Sequence, residues 1–167
     1  MATHDMTAGV EPLLEDAVDI EAPPGRVWEL VGDVRRLADW SPQVTHCELL
    51  PDSAEIGSGA RFVNHNLERS PDGQDLTWTT HSEVVRFVPE REIAFRVEEN
   101  WAVWSFTLEP GADGGTRLIE RRAVPEGISD LARQLTDGFM GGQEVFTQVL
   151  RAGMRETLER IKVAAEG

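Results

Sequence analysis

The sequence predicts an α+β domain: a seven-stranded antiparallel sheet wrapped around a long C-terminal helix, with two short helices after the first strand. Three observations predict it. From Val44 to Val124 the chain is a succession of β-branched and aromatic runs parted by short Gly, Pro, Asp and Asn breaks, and no segment there has a sustained helical period. From Phe146 to Ile161 apolar residues recur at three and four. At 167 residues and 40% apolar content, there is material for one core, which sheet and helix must share.

The elements follow in order. Residues 1–12 read as a flexible leader and 13–167 as a single domain. Leu13 to Glu21 alternates well enough for a first strand, stopped by Pro23-Pro24-Gly25. Proline in a first helical turn costs no hydrogen bond, and Val27, Trp28, Leu30 and Val31 carry a short helix to Gly32. Asp33 caps a second, Val34 to Trp40, which ends at Ser41 because the residue before Pro42 is pushed out of the α region. Six strands come next: Val44 to Leu50, Gly59 to Leu67, Leu76 to Val88, Glu92 to Glu98, Trp101 to Glu109 and Thr116 to Val124. Their separators, Ser70-Pro71-Asp72-Gly73 among them, suit antiparallel hairpins. Ile128 to Thr136 reads as a turn or two of helix, and Gly138 to Gly142 as a helix boundary or, beside a pocket mouth, a lid hinge. In the last helix Phe146, Val149, Leu150, Met154, Thr157, Leu158 and Ile161 form the buried stripe. Arg151, Arg155, Glu156, Glu159 and Arg160 fill the other face, so Leu158→Asp should unfold the protein and Arg155→Asp should be tolerated.

Composition removes several function classes. Sixteen Lys and Arg against thirty Asp and Glu give a net charge of −14, which repels a phosphate backbone and an anionic membrane surface. One cysteine, Cys47, excludes an internal disulfide and a multi-cysteine metal site, and a reduced cytoplasm is the expected location. No stretch reaches the ~18 apolar residues of a membrane span, so membrane insertion is not expected.

Counting by twos proposes which side chains face the helix. Phe62, Asn64 and Asn66 share one face. A hairpin centred near Asp72 sets Trp78 opposite Asn66 and Thr80 opposite Asn64, with Ser82 and Val84 following. Ile93, Phe95 and Val97, then Trp104, Phe106 and Leu108, then Leu118, Glu120 and Arg122 complete the face. Val84-Val85 and Phe87 break the alternation, which predicts a β-bulge. Glu120 and Arg122 could instead reach water near a strand end and pair with each other. Trp28 and Trp40 read as core, and of Trp101 and Trp104, which straddle one strand, Trp104 is the inward one.

No catalytic constellation emerges. His65 and His81 lie diagonally across one hairpin near Glu83, yet on the outward face, where a solvated pair explains them better than a metal. Cys47 and His46 are strand neighbours and point to opposite faces, so no thiol-imidazole dyad forms. The glycines of Gly111 to Gly115 precede a strand, not a helix, and cradle no phosphate. No metal, nucleotide or other cofactor is expected, and no oligomeric state is implied.

The order of elements is that of the helix-grip fold. On Ala22-Pro23-Pro24-Gly25-Arg26-Val27-Trp28, Asp33 with Trp40-Ser41-Pro42, Gly59-Ala60-Arg61-Phe62 with Asn66, Trp78, Trp104-Ser105-Phe106-Thr107-Leu108-Glu109-Pro110, Gly115-Thr116-Arg117-Leu118 and Gly153-Met154 with Leu158, the sequence resembles the polyketide cyclase/dehydrase and lipid-transport family of the START-like superfamily. That resemblance implies a cavity between sheet and helix that binds a hydrophobic or aromatic small molecule, lipid or polyketide-like. Its candidate ligand-binding residues are Phe62, Asn64, Asn66, Trp78, Thr80, Ser82, Phe95, Trp104, Phe106, Glu120, Arg122, Phe146 and Leu150. Two alternatives stand beside it: a polyketide aromatase/cyclase-like enzyme using Glu120, Arg122 or the Asn, Thr and Ser group for proton transfer, and a protein-partner module resembling the chaperone-activator branch.

Overall fold

A computed structural model describes residues 12–69, 72–130, 132, 134 and 142–167. The leader (but for Pro12), Ser70-Pro71, and most of the helix and glycine stretch foreseen over 128–142 lie outside the described residues. The sheet has seven strands, β1 (Leu13–Ile20), β2 (Val44–Leu49), β3 (Arg61–Glu68), β4 (Leu76–Val88), β5 (Glu92–Val97), β6 (Val103–Pro110) and β7 (Thr116–Ala123), in the order β1-β7-β6-β5-β4-β3-β2. Every pairing is antiparallel. Between β1 and β2 run α1 (Pro24–Val31), a 3₁₀ turn (Val34–Arg36) and α2 (Leu37–Trp40); α3 (Gln143–Glu166) closes the chain.

The two short helices are set by local chemistry. The carbonyl of Pro23 accepts from the amides of Arg26 and Val27, opening α1 with Pro24 where its missing N–H costs nothing. The Asp33 carboxylate accepts from the amide of Arg35 at 3.0 Å and begins the next turn. That turn is 3₁₀ before it becomes α2, so the single helix foreseen over 34–40 is two short pieces. Trp40 is buried, and its indole N–H donates to the Leu30 carbonyl at 2.9 Å, pinning α2 onto α1.

Along α3 the stripe sinks into the core: Leu150, Met154, Thr157, Leu158 and Ile161 are buried. Each fully buried aliphatic here is worth about 1.5–3 kcal/mol against exposure. The opposite face is not inert. Arg155 reaches β1, where it donates to the Asp16 carboxylate and to the Ala17 carbonyl at 3.2 Å, so it ties helix to sheet.

Two bulges decide which side chains face the helix. In β4 the register slips between Val84 and Arg86, leaving Val85 exposed and turning Phe87 inward against Trp28, with ring centroids 5.4 Å apart. A second slip, between Val44 and His46 in β2, leaves Thr45 unpaired and puts Val44 and Cys47 both on the core side. The alternation of β4 announces the first; nothing in β2 announces the second. Trp101, foreseen inside β6, precedes it, at φ 67° in the turn from β5.

Candidate functional site

Between the concave face of the sheet and α3 lies a cavity of about 440 Å³. Asn64 and Asn66 of β3, Trp78 and Thr80 of β4, Phe95 of β5, Trp104 and Phe106 of β6, Glu120 and Arg122 of β7 and Phe146 and Leu150 of α3 all line it. The pairing of β3 with β4 sets Asn66 opposite Trp78 and Asn64 opposite Thr80, as the hairpin count requires. Phe62 and Ser82 share that face but stand off the cavity. Phe62 is buried against Phe95, with centroids 5.2 Å apart, and Ser82 pairs with it across the strands.

The wall is mostly apolar, and its polar groups divide by whether the protein already uses them. Asn66 donates through Nδ2 to the Thr80 hydroxyl at 3.2 Å and to the Trp78 carbonyl at 3.3 Å, so its role is to hold the hairpin. By contrast, Oδ1 of Asn64 and Oε1 of Glu120 are buried without a hydrogen-bond partner among the described residues, as is the Ser82 hydroxyl. Buried polar atoms normally find partners, so such orphans mark a place where something else can bond.

Glu120 and Arg122 are both 6% exposed, which excludes a strand end open to water. Nor do they pair. Burial, with the nearby Asp16 charge, raises the Glu120 carboxyl well above its ordinary range. Burial lowers the Arg122 guanidinium to about 10, still charged at neutral pH, and no hydrogen-bonding or carboxylate partner faces it among the described residues. The site therefore presents to an aromatic chamber a carboxyl whose ionisation is opposed and a guanidinium unpaired among the described residues.

Sequence reading missed part of the wall. Leu37, Ser41 and Gln43 come from α2 and the segment after it, and Val44 arrives there only through the bulge in β2. Glu99 and Asn100 belong to the β5–β6 turn. Glu99 is held by His81: its Oε1 accepts from the His81 amide at 2.7 Å and its Oε2 lies 2.6 Å from Nδ1 of the ring. Thr77 and Thr79, exposed on either side of Trp78, also border the cavity and place its open end near the β3–β4 hairpin.

The histidines do not form the foreseen solvated pair. His65 lies over His46, with ring centroids 5.6 Å apart, and both approach Glu48, whereas His81 belongs to Glu99. Among the described residues no three His, Cys, Asp or Glu side chains are gathered so as to hold a metal ion. Cys47 is buried, His46 on the opposite face is exposed, and burial pushes the thiol up to about 12.

The family model described as polyketide cyclase/dehydrase and lipid transport matches residues 12–166. The chain belongs to that family. A Polyketide_cyc-like protein from Corynebacterium glutamicum, solved by NMR, is 30% identical over 90% of this chain and 88% of its own, with a TM-score of 0.57. Two structures share the fold at lower identity. The Zhui aromatase/cyclase from Streptomyces sp. R1128 is 22% identical with a TM-score of 0.64, covering 92% of this chain and 93% of its own. The di-domain ARO/CYC StfQ of the steffimycin biosynthetic pathway is 15% identical with a TM-score of 0.67, over 98% of this chain and 53% of its own. Among curated proteins, none matches the sequence. As a member of the polyketide cyclase/dehydrase and lipid-transport family, the protein has the helix-grip fold, and no helix among its described residues is long and apolar enough to cross a membrane.

Proposed function

We propose that this protein binds a hydrophobic small molecule, lipid or polyketide-like, in the cavity between the sheet and α3. The observation that carries the reading is the cavity itself. Protein interiors are normally packed to crystal density, and here about 440 Å³ stays open behind walls of Trp78, Phe95, Trp104 and Phe106. Family membership supports the same reading. The net charge of −14 argues against nucleic acid as partner, and the single cysteine fits a reduced cytoplasm. Native mass spectrometry of the purified protein should find a retained apolar molecule, or the protein should bind an environment-sensitive apolar dye. A protein that arrives empty and binds no such dye would end the proposal.

A second reading, an aromatase/cyclase-like enzyme, is favoured by one observation: Glu120 lines the cavity with a buried, unpartnered carboxyl oxygen and with its ionisation opposed by burial, so that, when protonated, it is placed to pass a proton to a carbonyl oxygen of a bound poly-carbonyl chain. Its test is accelerated cyclisation of a poly-β-carbonyl thioester mimic, lost in Glu120→Ala. The partner-module reading gains no such support. The exposed large apolar side chains among the described residues, Leu13, Val85, Val88, Val145 and Val163, are scattered over β1, β4 and α3.

A further inference from the structure

The ionisable side chains on the cavity wall, among the described residues, are Glu99, Glu120 and Arg122. Among the described residues no ion pair joins them. Glu99 is already satisfied by His81, both through the ring and through the backbone amide. Burial and the Asp16 charge beside it oppose ionisation of Glu120 and raise its carboxyl well above its ordinary range. Asp16 in turn is bonded to Arg155 on α3. Arg122 is left as a buried cation with no counter-ion among the described residues, neighbouring an orphaned carboxyl oxygen on the same strand face.

A buried guanidinium without a partner is costly, and one that lines a cavity is compensated when the cavity's occupant brings the missing charge. We infer that the occupant is an acid: a compact apolar body carrying one delocalised oxyanion, a carboxylate or an acidic enol or phenol, seated against Arg122 with the Glu120 carboxyl beside it. The inference rests on the cavity-binding reading above and specifies its ligand class. Three features agree with it. A planar guanidinium offers paired donors that match the two oxygens of a carboxylate or of a β-dicarbonyl enolate. The Glu120 carboxyl two residues along the strand has a buried oxygen without a partner, and burial favours its protonated form, the one that can donate a further hydrogen bond to the anion. The volume lies in the lower part of the range for drug-sized ligands, which suits a fused-ring or single-chain acid better than a two-chain lipid. With a net charge of −14 the protein does not draw anions from a distance, so discrimination must come from this one contact.

The test uses three probes of similar shape on the full chain: 2-naphthoate, 2,4-dinitro-1-naphtholate and neutral methyl 2-naphthoate, titrated at pH 7 by calorimetry and tryptophan emission. At least one anion should bind tenfold or more tightly than the ester, and which anion wins tells a carboxylate from an enol or phenol. Arg122→Gln should bring acid and ester to equal affinity. If the ester binds as tightly as both anions, or if the preference survives in Arg122→Gln, the acid inference is wrong while cavity binding stands. If none of the three binds, both fall. Should Arg122→Gln not fold, the wild-type preference decides alone, with Arg122→Lys expected to keep part of it.

Discussion

Glu120 and Arg122 leave the same face of β7 two residues apart, both buried, and do not form an ion pair. Their neighbours explain why. Glu120 lies across from Asp16 on β1 and Phe106 on β6, so one flank is acidic and the other apolar. Arg122 lies across from Leu14 and Trp104. A residue rise of about 3.4 Å separates the two Cα atoms by roughly 7 Å, and each side chain enters its own environment.

The Glu120 carboxyl, raised well above its ordinary 4.5, makes stability depend on pH. The native state holds this proton where the unfolded chain has released it, so the contribution is complete below about pH 4.5 and is lost as pH climbs toward the folded value. Glu120→Gln keeps the shape and removes the titration. Its melting temperature should match wild type near pH 4.5 and exceed it increasingly toward pH 8. Parallel wild-type and variant curves across that range would show that Glu120 does not hold a proton.

The faces of α3 yield a paired prediction. Leu158 is fully buried, and Leu158→Asp places an uncompensated charge in the core, costing about 3–5 kcal/mol. Arg155→Asp is milder without being neutral, as the helix pattern alone would have it, because it removes the tie to Asp16 and the Ala17 carbonyl and sets two carboxylates together. A half-exposed pair of this kind is worth about 1 kcal/mol and weakens with salt. Urea midpoints at low and high salt should show a salt-dependent loss for Arg155→Asp only.

Cys47 should behave as core rather than as a reagent. The thiolate is the reactive species, and a thiol pushed up to about 12 by burial, with the Asp33 and Glu48 charges adding to it, supplies almost none at pH 8. Iodoacetamide should leave the native protein unmodified and alkylate it fully in denaturant. Rapid alkylation of native protein would mean that β2 opens.

How much of this was legible in the sequence follows from the kind of signal each residue carries. Strand faces were readable wherever period two ran unbroken. Phe62, Asn64 and Asn66, and likewise Leu118, Glu120 and Arg122, declare a buried face even though polar residues sit on it. Val44 was not readable, since the bulge that turns it inward leaves no mark in VTHCEL. Glu99 looked like an ordinary hairpin residue because its partner, His81, is 18 positions away, and Arg155 looked like a solvated face because Asp16 is 139 away. The raised Glu120 carboxyl was beyond reach too, because the shift depends on desolvation and on Asp16 across the strand rather than on any local motif.

The two tryptophans of the cavity should separate binding from stability. Trp104 stands on β6, half-buried, and packs against all three clusters of the core, including the one that holds Leu150 and Met154 of α3. Trp78 is also half-buried, near the start of β4 beside the exposed Thr77 and Thr79, where the cavity opens. A side chain that joins core clusters leaves a hole when it is removed, and large-to-small aromatic changes in cores cost about 3–5 kcal/mol. One at a cavity mouth loses mainly its contact with whatever enters. Trp78→Ala should therefore shift the urea midpoint little and weaken binding of an apolar fluorescent dye about tenfold, equivalent to ~1.4 kcal/mol. Trp104→Ala should lower the midpoint strongly, and its dye binding should fall in step with the folded fraction. If Trp78→Ala destabilises as much as Trp104→Ala while the folded remainder binds dye like wild type, Trp78 is core and the opening lies elsewhere.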